Sequence, residues 1–304
     1  MTVPRSAMRQ LHAPLPAYAA AIAGIGSFSI MDMVMKSLVL ATSTFATLLY
    51  RSLIAVVAAA VLVAIFRPAR PSRAALRLHL LRGTLTTAMS FLFFWGLARV
   101  PLAQGVALSF IAPLIALVLA ALLLGEKLGR RAVAASLLAF VGVLVIFAGQ
   151  AQADLGREAL LGSGAILVSA MIYAWNIVIM RQQALAARPV EIAFFQNATV
   201  SAVLLLAVPF AGMPPLPAGH WTAILIAAFL AIVSQLLLAW AYARAGAAYL
   251  STTEYSSFLW AMALGWVRFG EPVSPFTLGG AALIVAGCWF AARATEHPAL
   301  EGSA

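Results

Sequence analysis

Charge is the scarcest commodity in this chain. Asp, Glu, Lys and Arg make up 9% of its 304 residues, against about a quarter in ordinary soluble domains. Hydrophobic residues make up 64% and the mean hydropathy is +1.01, so a soluble fold would have too few polar groups to cover its surface. That excludes a cytosolic enzyme, a disordered chain and a secreted disulfide scaffold. Cysteine is nearly missing: Cys288 stands alone in an apolar run, forms no internal disulfide and leaves the redox compartment open. The four histidines, His12, His79, His220 and His297, lie far apart without metal-ligand spacing. No Gly-rich loop ends in Gly-Lys-Ser/Thr, which argues against ATP-driven transport by this chain alone. No metal or cofactor is expected.

What is present is length of apolar run. Segments near 20 residues cross a hydrocarbon core of about 30 Å as helices. Ten are read, at 16–39, 43–66, 77–98, 101–124, 130–148, 160–181, 190–211, 220–243, 246–268 and 274–292. No loop between them can house a soluble domain. The expected fold is all-α, a polytopic membrane protein. With the N-terminus inside, fourteen basic residues fall in cytoplasmic segments, Arg82 among them; Arg99, Arg157 and Arg268 fall in outer loops, and Lys36 and Arg51 within spans. This bias predicts that both termini are cytoplasmic in a bacterial inner membrane. The first span is long and lacks a clear cleavage site, so it is read as a span and not as a signal peptide.

The +10 net charge suggests nucleic acid only for a soluble chain; here it sits in loops, and no nucleic-acid partner is expected. Sliding the sequence against itself by 145 residues puts Gly125-Glu126 on Gly270-Glu271, Gly142 on Gly287, Leu138 on Leu283, Leu114 on Leu259, Ala116 on Ala261 and Lys36 on Arg181. The Gly-Glu match carries most weight, because glutamate is scarce and both copies follow a span. Each half then holds five spans, 16–149 and 160–293. Five is odd, so the second half inserts upside down relative to the first, as in secondary transporters with a central site.

Ten spans in two halves, with Gly-Glu after the fourth and ninth, resemble the drug/metabolite transporter superfamily, EamA type. Asp-Met-Val-Met-Lys at Asp32 to Lys36 and Leu-Tyr-Arg ending at Arg51 are similar to its bacterial members. The resemblance implies movement of small metabolites through a cavity between the halves, lined by spans 1, 3, 4, 6, 8 and 9. It does not give the substrate.

Ionisable side chains inside a membrane are costly and usually face a cavity or a partner. Asp32, Lys36, Arg51 and Glu254 are the four expected here. Asp32 and Lys36 share a helix face at i,i+4. Arg51 lies roughly 12 Å into span 2 by helix rise. Asp32 is at similar depth, which predicts an Asp32–Arg51 pair with Lys36 above it, snorkelling to the interface. The pair is either a structural link between spans 1 and 2 or an outer gate with Arg51 as a carboxylate anchor. Glu254 lies near mid-membrane in the most polar stretch of any span, with Tyr249, Ser251, Thr252, Thr253 and Tyr255 around it, and no cation has an obvious claim on it. It can carry a proton, bind an ammonium, or rest protonated on a hydroxyl. Trp95, Trp175 and Tyr255 are candidate cavity aromatics, Asn176 and Gln235 candidate polar anchors, and Ser109 with Gln104 weaker ones on span 4. Ala135, Ala139 and Gly142 share a face of span 5, read as intramolecular packing over a dimer seam. Pro113 predicts a kink inside span 4.

The reading that results is a carrier for a small amphipathic metabolite, first an amino acid leaving the cell, working as a monomer with a homodimer second. Glu254 would take the ammonium, and Asn176, Gln235 or Arg51 the carboxylate. Alternatives are uptake of a larger metabolite such as S-adenosylmethionine, a drug or nucleoside carrier, a passive channel, and a membrane enzyme. The polar residues form no continuous stripe and no clustered acid, base or metal set, which disfavours the last two.

Overall fold

The computed structural model describes residues 15–67, 71–124, 130–152, 156–242 and 253–296. Among these residues all regular structure is helical. The helices are α1 (Leu15–Ala41), α2 (Thr44–Phe66), α3 (Arg73–Leu97), α4 (Leu102–Ser109), α5 (Ala112–Leu124), α6 (Arg130–Gln152), α7 (Gly156–Ala186), α8 (Pro189–Ala211), α9 (Trp221–Tyr242), α10 (Ser256–Phe269) and α11 (Pro275–Glu296). In hydrocarbon every backbone polar group must be satisfied internally, and a continuous helix does this locally. Six of the helices are long and apolar enough to cross a membrane; shorter apolar stretches lie in α4–α5, α6 and α11. The chain is a polytopic membrane protein.

Helix starts follow local chemistry. Ser43 and Ser72 accept the N–H groups of Ala46 and Ala75 at 3.1 Å each, capping α2 and α3. Ser274 accepts from Thr277 N at 3.0 Å ahead of α11. Pro189 opens α8, where its missing N–H costs nothing.

The helices pair in a repeated pattern. The strongest partners are α6 with α11, α1 with α9, α3 with α7, and α2 with α8. Next come α3 with α8, α5 with α7, α1 with α10, α4 with α10 and α2 with α9. Exchanging each helix for its counterpart 145 residues away maps every one of these pairs except α4 with α10 onto another of them; the counterpart of α4, 247–254, lies mostly outside the described residues. That is the packing of two repeats about a pseudo-two-fold axis, and it agrees with the sequence reading. Between lipid-facing helices there is little hydrophobic drive, so close approach of small residues matters. At the α6–α11 crossing, a Cβ on Gly142 would lie 2.6 Å from the Gly280 carbonyl oxygen, and one on Gly280 would lie 2.5 Å from the Gly142 oxygen. Ala139 and Gly142 are therefore covered by α11, and this face of span 5 is used within the chain.

Span 4 is broken where a kink was expected. α4 stops at Ser109 and α5 starts at Ala112, with Phe110 and Ile111 between them. Pro113 has no N–H to give the Ser109 carbonyl and its ring crowds that oxygen, which weakens the helix at this place. Phe110 and Ile111 bond three residues back, to Ala107 O at 3.2 Å and Leu108 O at 3.4 Å. In span 9, Thr253 and Glu254 are helical, Tyr255 is a turn, and α10 follows. Shifted by 145, Phe110 coincides with Tyr255, so the two repeats are interrupted at the same place.

Candidate functional site

The two interruptions face each other. The Phe110 and Tyr255 rings meet edge to face at 5.7 Å, and Phe258 closes on Phe110 at 6.5 Å. Hydroxyls beside the breaks bond backbone carbonyls: Ser109 Oγ donates to Gly105 O at 3.0 Å, Ser256 Oγ to Thr253 O at 2.6 Å and Ser257 Oγ to Glu254 O at 2.6 Å. Ser109 thus spends its donor on its own helix. Glu254 stands one residue before the Tyr255 break and stays exposed.

Glu254 is within electrostatic reach of Tyr173 on α7, and Tyr173 is within reach of Arg82 on α3. Arg82 is the correction that matters most. The sequence counts it with the basic residues of the cytoplasmic segments, yet it is the tenth residue of α3, about 14 Å from the helix start by helix rise, facing α7. Its Nε donates to Asn176 Oδ1 at 2.9 Å and its Nη1 to Gln183 Oε1 at 2.5 Å. Asn176 is buried, and its amide also donates to Thr86 Oγ1 at 2.8 Å. Beyond Gln183 lie His79 and Glu191, joined at 3.0 Å. A polar chain therefore runs along the α3–α7 contact toward the broken helices. His79, Arg82 and Thr86 recur at i, i+3 and i+7, one face of a helix, which is the signal that could have found them.

The other expected residues are placed as follows. Trp175 is 44% exposed on α7, turned away from buried Asn176. Gln235 is half-buried on α9 and forms no hydrogen bond among the described residues. Trp95 lies near the end of α3 with the Arg99 guanidinium 3.5 Å above its ring, and Arg99 pairs with Glu158 at 2.8 Å. Asp32 and Arg51 are within electrostatic reach but do not form an ion pair within 4.0 Å, and the buried Arg51 Nε has no hydrogen-bond partner. Gln104 donates to Ser163 Oγ at 3.2 Å. Tyr249, Ser251, Thr252 and the Gly125-Glu126 pair lie outside the described residues.

Lys36 does not snorkel above Asp32. It is 3% exposed, donates to Val100 O at 2.7 Å and ion-pairs with Glu271. The second Glu271 oxygen accepts Leu102 N–H at 2.7 Å, at the positive first turn of α4. Gly270 ends α10 with φ 65°, a conformation that favours glycine, and this turn sends Glu271 back toward the bundle. A Cβ on Gly265 would lie 3.2 Å from Glu271 Oε2, so Gly265 leaves the carboxylate its room. The Gly-Glu pair is thus a staple joining α10, α1 and the α3–α4 link.

Residues 15–148 and 160–293 each match the EamA-like transporter family. The chain belongs to that family. Its two EamA repeats coincide with the halves related by the helix pairing. Among similar proteins, the pseudopaline exporter CntI of Pseudomonas aeruginosa (strain UCBPP-PA14) is 26% identical over 219 residues, 71% of this chain and 75% of the relative. A riboflavin transporter of Rhizobium johnstonii is 31% identical over 220 residues, 71% of this chain and 70% of that one. A riboflavin transporter of Vibrio cholerae is 28% identical over 211 residues, 68% of each. A crystal structure with 21% identity superposes with a TM-score of 0.56, covering 89% of this chain and 96% of that chain, which establishes the shared fold. The EamA chain described here is a membrane transporter.

Proposed function

We propose that the chain is an alternating-access carrier for a small amphipathic metabolite bearing a carboxylate, in the first instance an amino acid on its way out of the cell. The observation behind this is the facing pair of helix breaks, with Glu254 beside one, Tyr173 within its reach and Arg82 within reach of Tyr173. Irregular backbone at membrane depth is tolerated only where it is buried in protein or lines a cavity, and broken helices mark substrate sites in transporters built from inverted repeats. Glu254 supplies an anion for an ammonium, and Arg82 takes the carboxylate, in place of the Arg51 anchor suggested by the sequence alone. Arg82 uses two of its five N–H donors in the described bonds, which leaves part of its fork for a ligand. Asp32 and Arg51 then act as a separate polar station between spans 1 and 2. The carrier works in the inner membrane with both termini cytoplasmic.

The relatives' names support a second reading, transport of riboflavin, which is bulky, aromatic and carries no carboxylate. The purified protein in liposomes, assayed for counterflow of labelled L-phenylalanine and labelled riboflavin, tests both. Saturable counterflow of phenylalanine that fails in Arg82→Ala supports the carboxylate site. Riboflavin counterflow indifferent to Arg82→Ala selects the second reading. Non-saturable leak of both would indicate a channel and refute either carrier.

A further inference from the structure

Spans 1 and 2 hold opposite charges that neither meet nor find other partners. Asp32 on α1 and Arg51 on α2 are within electrostatic reach, yet no ion pair closes within 4.0 Å. Neither side chain forms a hydrogen bond among the described residues, and Arg51 Nε is buried without a partner. A carboxylate and a guanidinium inside a membrane are costly unless something pairs with them. A link that only ties helices together closes that distance, as Lys36 and Glu271 do. Both side chains also face protein. Residues three and four apart share a helix face. Around Asp32, Ser29, Met35 and Lys36 are buried, and around Arg51, Thr47, Leu48 and Ala55 are buried. The fourth neighbour in each case, Phe28 and Ile54, packs against the core. Asp32 and Arg51 themselves are only half-buried. The surface left open on them therefore borders space inside the bundle. α1 ends at Ala41 and α2 starts at Thr44, so by helix rise Asp32 lies about 14 Å and Arg51 about 10 Å below that turn. Met31 and Met35 near Asp32, and Leu48 near Arg51, belong to the apolar cluster on which Phe110 packs. The charged gap thus adjoins the cluster that backs the first helix break.

We propose that the Asp32–Arg51 gap is a substrate station separate from Glu254 and Arg82, and that it takes a net-neutral head carrying a hydrogen-bond donor beside an acceptor. The donor goes to Asp32 and the acceptor to the Arg51 fork. The ammonium and carboxylate of an amino acid form such a head. The imide edge of riboflavin, an N–H between two carbonyls, forms another. The proposal deepens the carrier reading and rests on it for the ligand. Charge selects the class. Asp32 and Arg51 sum to zero, and so do Lys36 and Glu271 beyond them. A net-neutral head keeps the station neutral, whereas a bare anion or cation leaves one charge uncompensated in the membrane. Glu254 and Arg82 offer the same two charges at the breaks. A substrate leaving them keeps its apolar part against the Phe110 side and exchanges one carboxylate and guanidinium for another, nearer the α1–α2 turn.

The test is equilibrium binding of labelled L-phenylalanine and labelled riboflavin to the full chain in lipid nanodiscs. The wild type should hold two phenylalanine molecules per protein, and Arg82→Ala one. Asp32→Asn combined with Arg51→Gln should also hold one; this double variant leaves no unpaired charge behind, and thermal unfolding checks that it folds. In Arg82→Ala, N-acetyl-L-phenylalanine, an anion, and phenethylamine, a cation, should compete about tenfold more weakly than phenylalanine itself, the scale of one charged hydrogen bond. Equal competition by either overturns the inference. One phenylalanine per protein, lost in Arg82→Ala and kept in the double variant, also overturns it and leaves the carrier standing. One per protein, lost in the double variant and kept in Arg82→Ala, supports the Asp32–Arg51 station and removes the Arg82 site. Riboflavin binding without phenylalanine binding supports the station if the double variant weakens it about tenfold, and overturns it if affinity is unchanged. A folded wild type that binds neither probe overturns it as well.

Discussion

At the residue scale, the site divides into groups that touch the breaks and groups that hold others in place. Glu254→Gln keeps the shape and removes the charge. It should abolish transport or flatten its pH–rate profile in liposome counterflow, whereas an unaltered profile would take Glu254 out of proton handling. Arg82→Lys replaces a planar fork by a point donor that cannot hold Asn176 and Gln183 together. It should raise the KM for phenylalanine tenfold or more with the protein still folded and inserted. Lys36 and Glu271 give a sharper case, because each uses its charge and its donor or acceptor sense. Either single substitution to Ala should cost about 3 kcal/mol, the scale for breaking a buried pair. The swap Lys36→Glu with Glu271→Lys restores the attraction but turns a carboxylate to the Val100 carbonyl and an ammonium to the Leu102 N–H. Thermal unfolding in detergent should show little rescue; full recovery would reduce the staple to simple charge pairing.

Among the elements, α4 and α10 owe their form to features unequally legible in the sequence. Pro113 announces the break in span 4, and its steric reach back to Ser109 sets the place. Nothing as plain marks Tyr255: no proline stands near it, and only its equivalence with Phe110 under the 145-residue shift makes the second break readable. The ten spans, their order and the Gly-Glu repeat follow from hydropathy and scarce residues. The polar chain on α3 is not legible in the sequence, because an arginine near the basic end of span 3 reads as part of the cytoplasmic charge. Depth along a helix and the identity of the facing helix decided its role, and neither is written locally. Asp32 and Arg51, expected at equal depth, do come within electrostatic reach of each other, but equal depth alone does not close them to an ion pair within 4.0 Å. At the α6–α11 crossing, Gly142→Leu drives a side chain into the Gly280 carbonyl. It should cost about 1–3 kcal/mol or more, read as a lower midpoint of thermal unfolding, while Gly279→Ala, with open space around it, should change little.

The whole molecule is two copies of one motif about a pseudo-two-fold axis. Reporter fusions at both ends should be active on the same, cytoplasmic face; opposite faces would break the ten-span arrangement. The repeats are alike in packing and unlike in chemistry. At the matching position before each break, one copy has the hydroxyl of Ser109, already committed to its own helix, and the other has the accessible carboxylate of Glu254. In the proposed carrier, a passage built from a mirrored scaffold would thereby have a heads and a tails: a molecule with distinct ends would lodge in only one sense and keep that sense while the surrounding halves exchange which face of the membrane they open to.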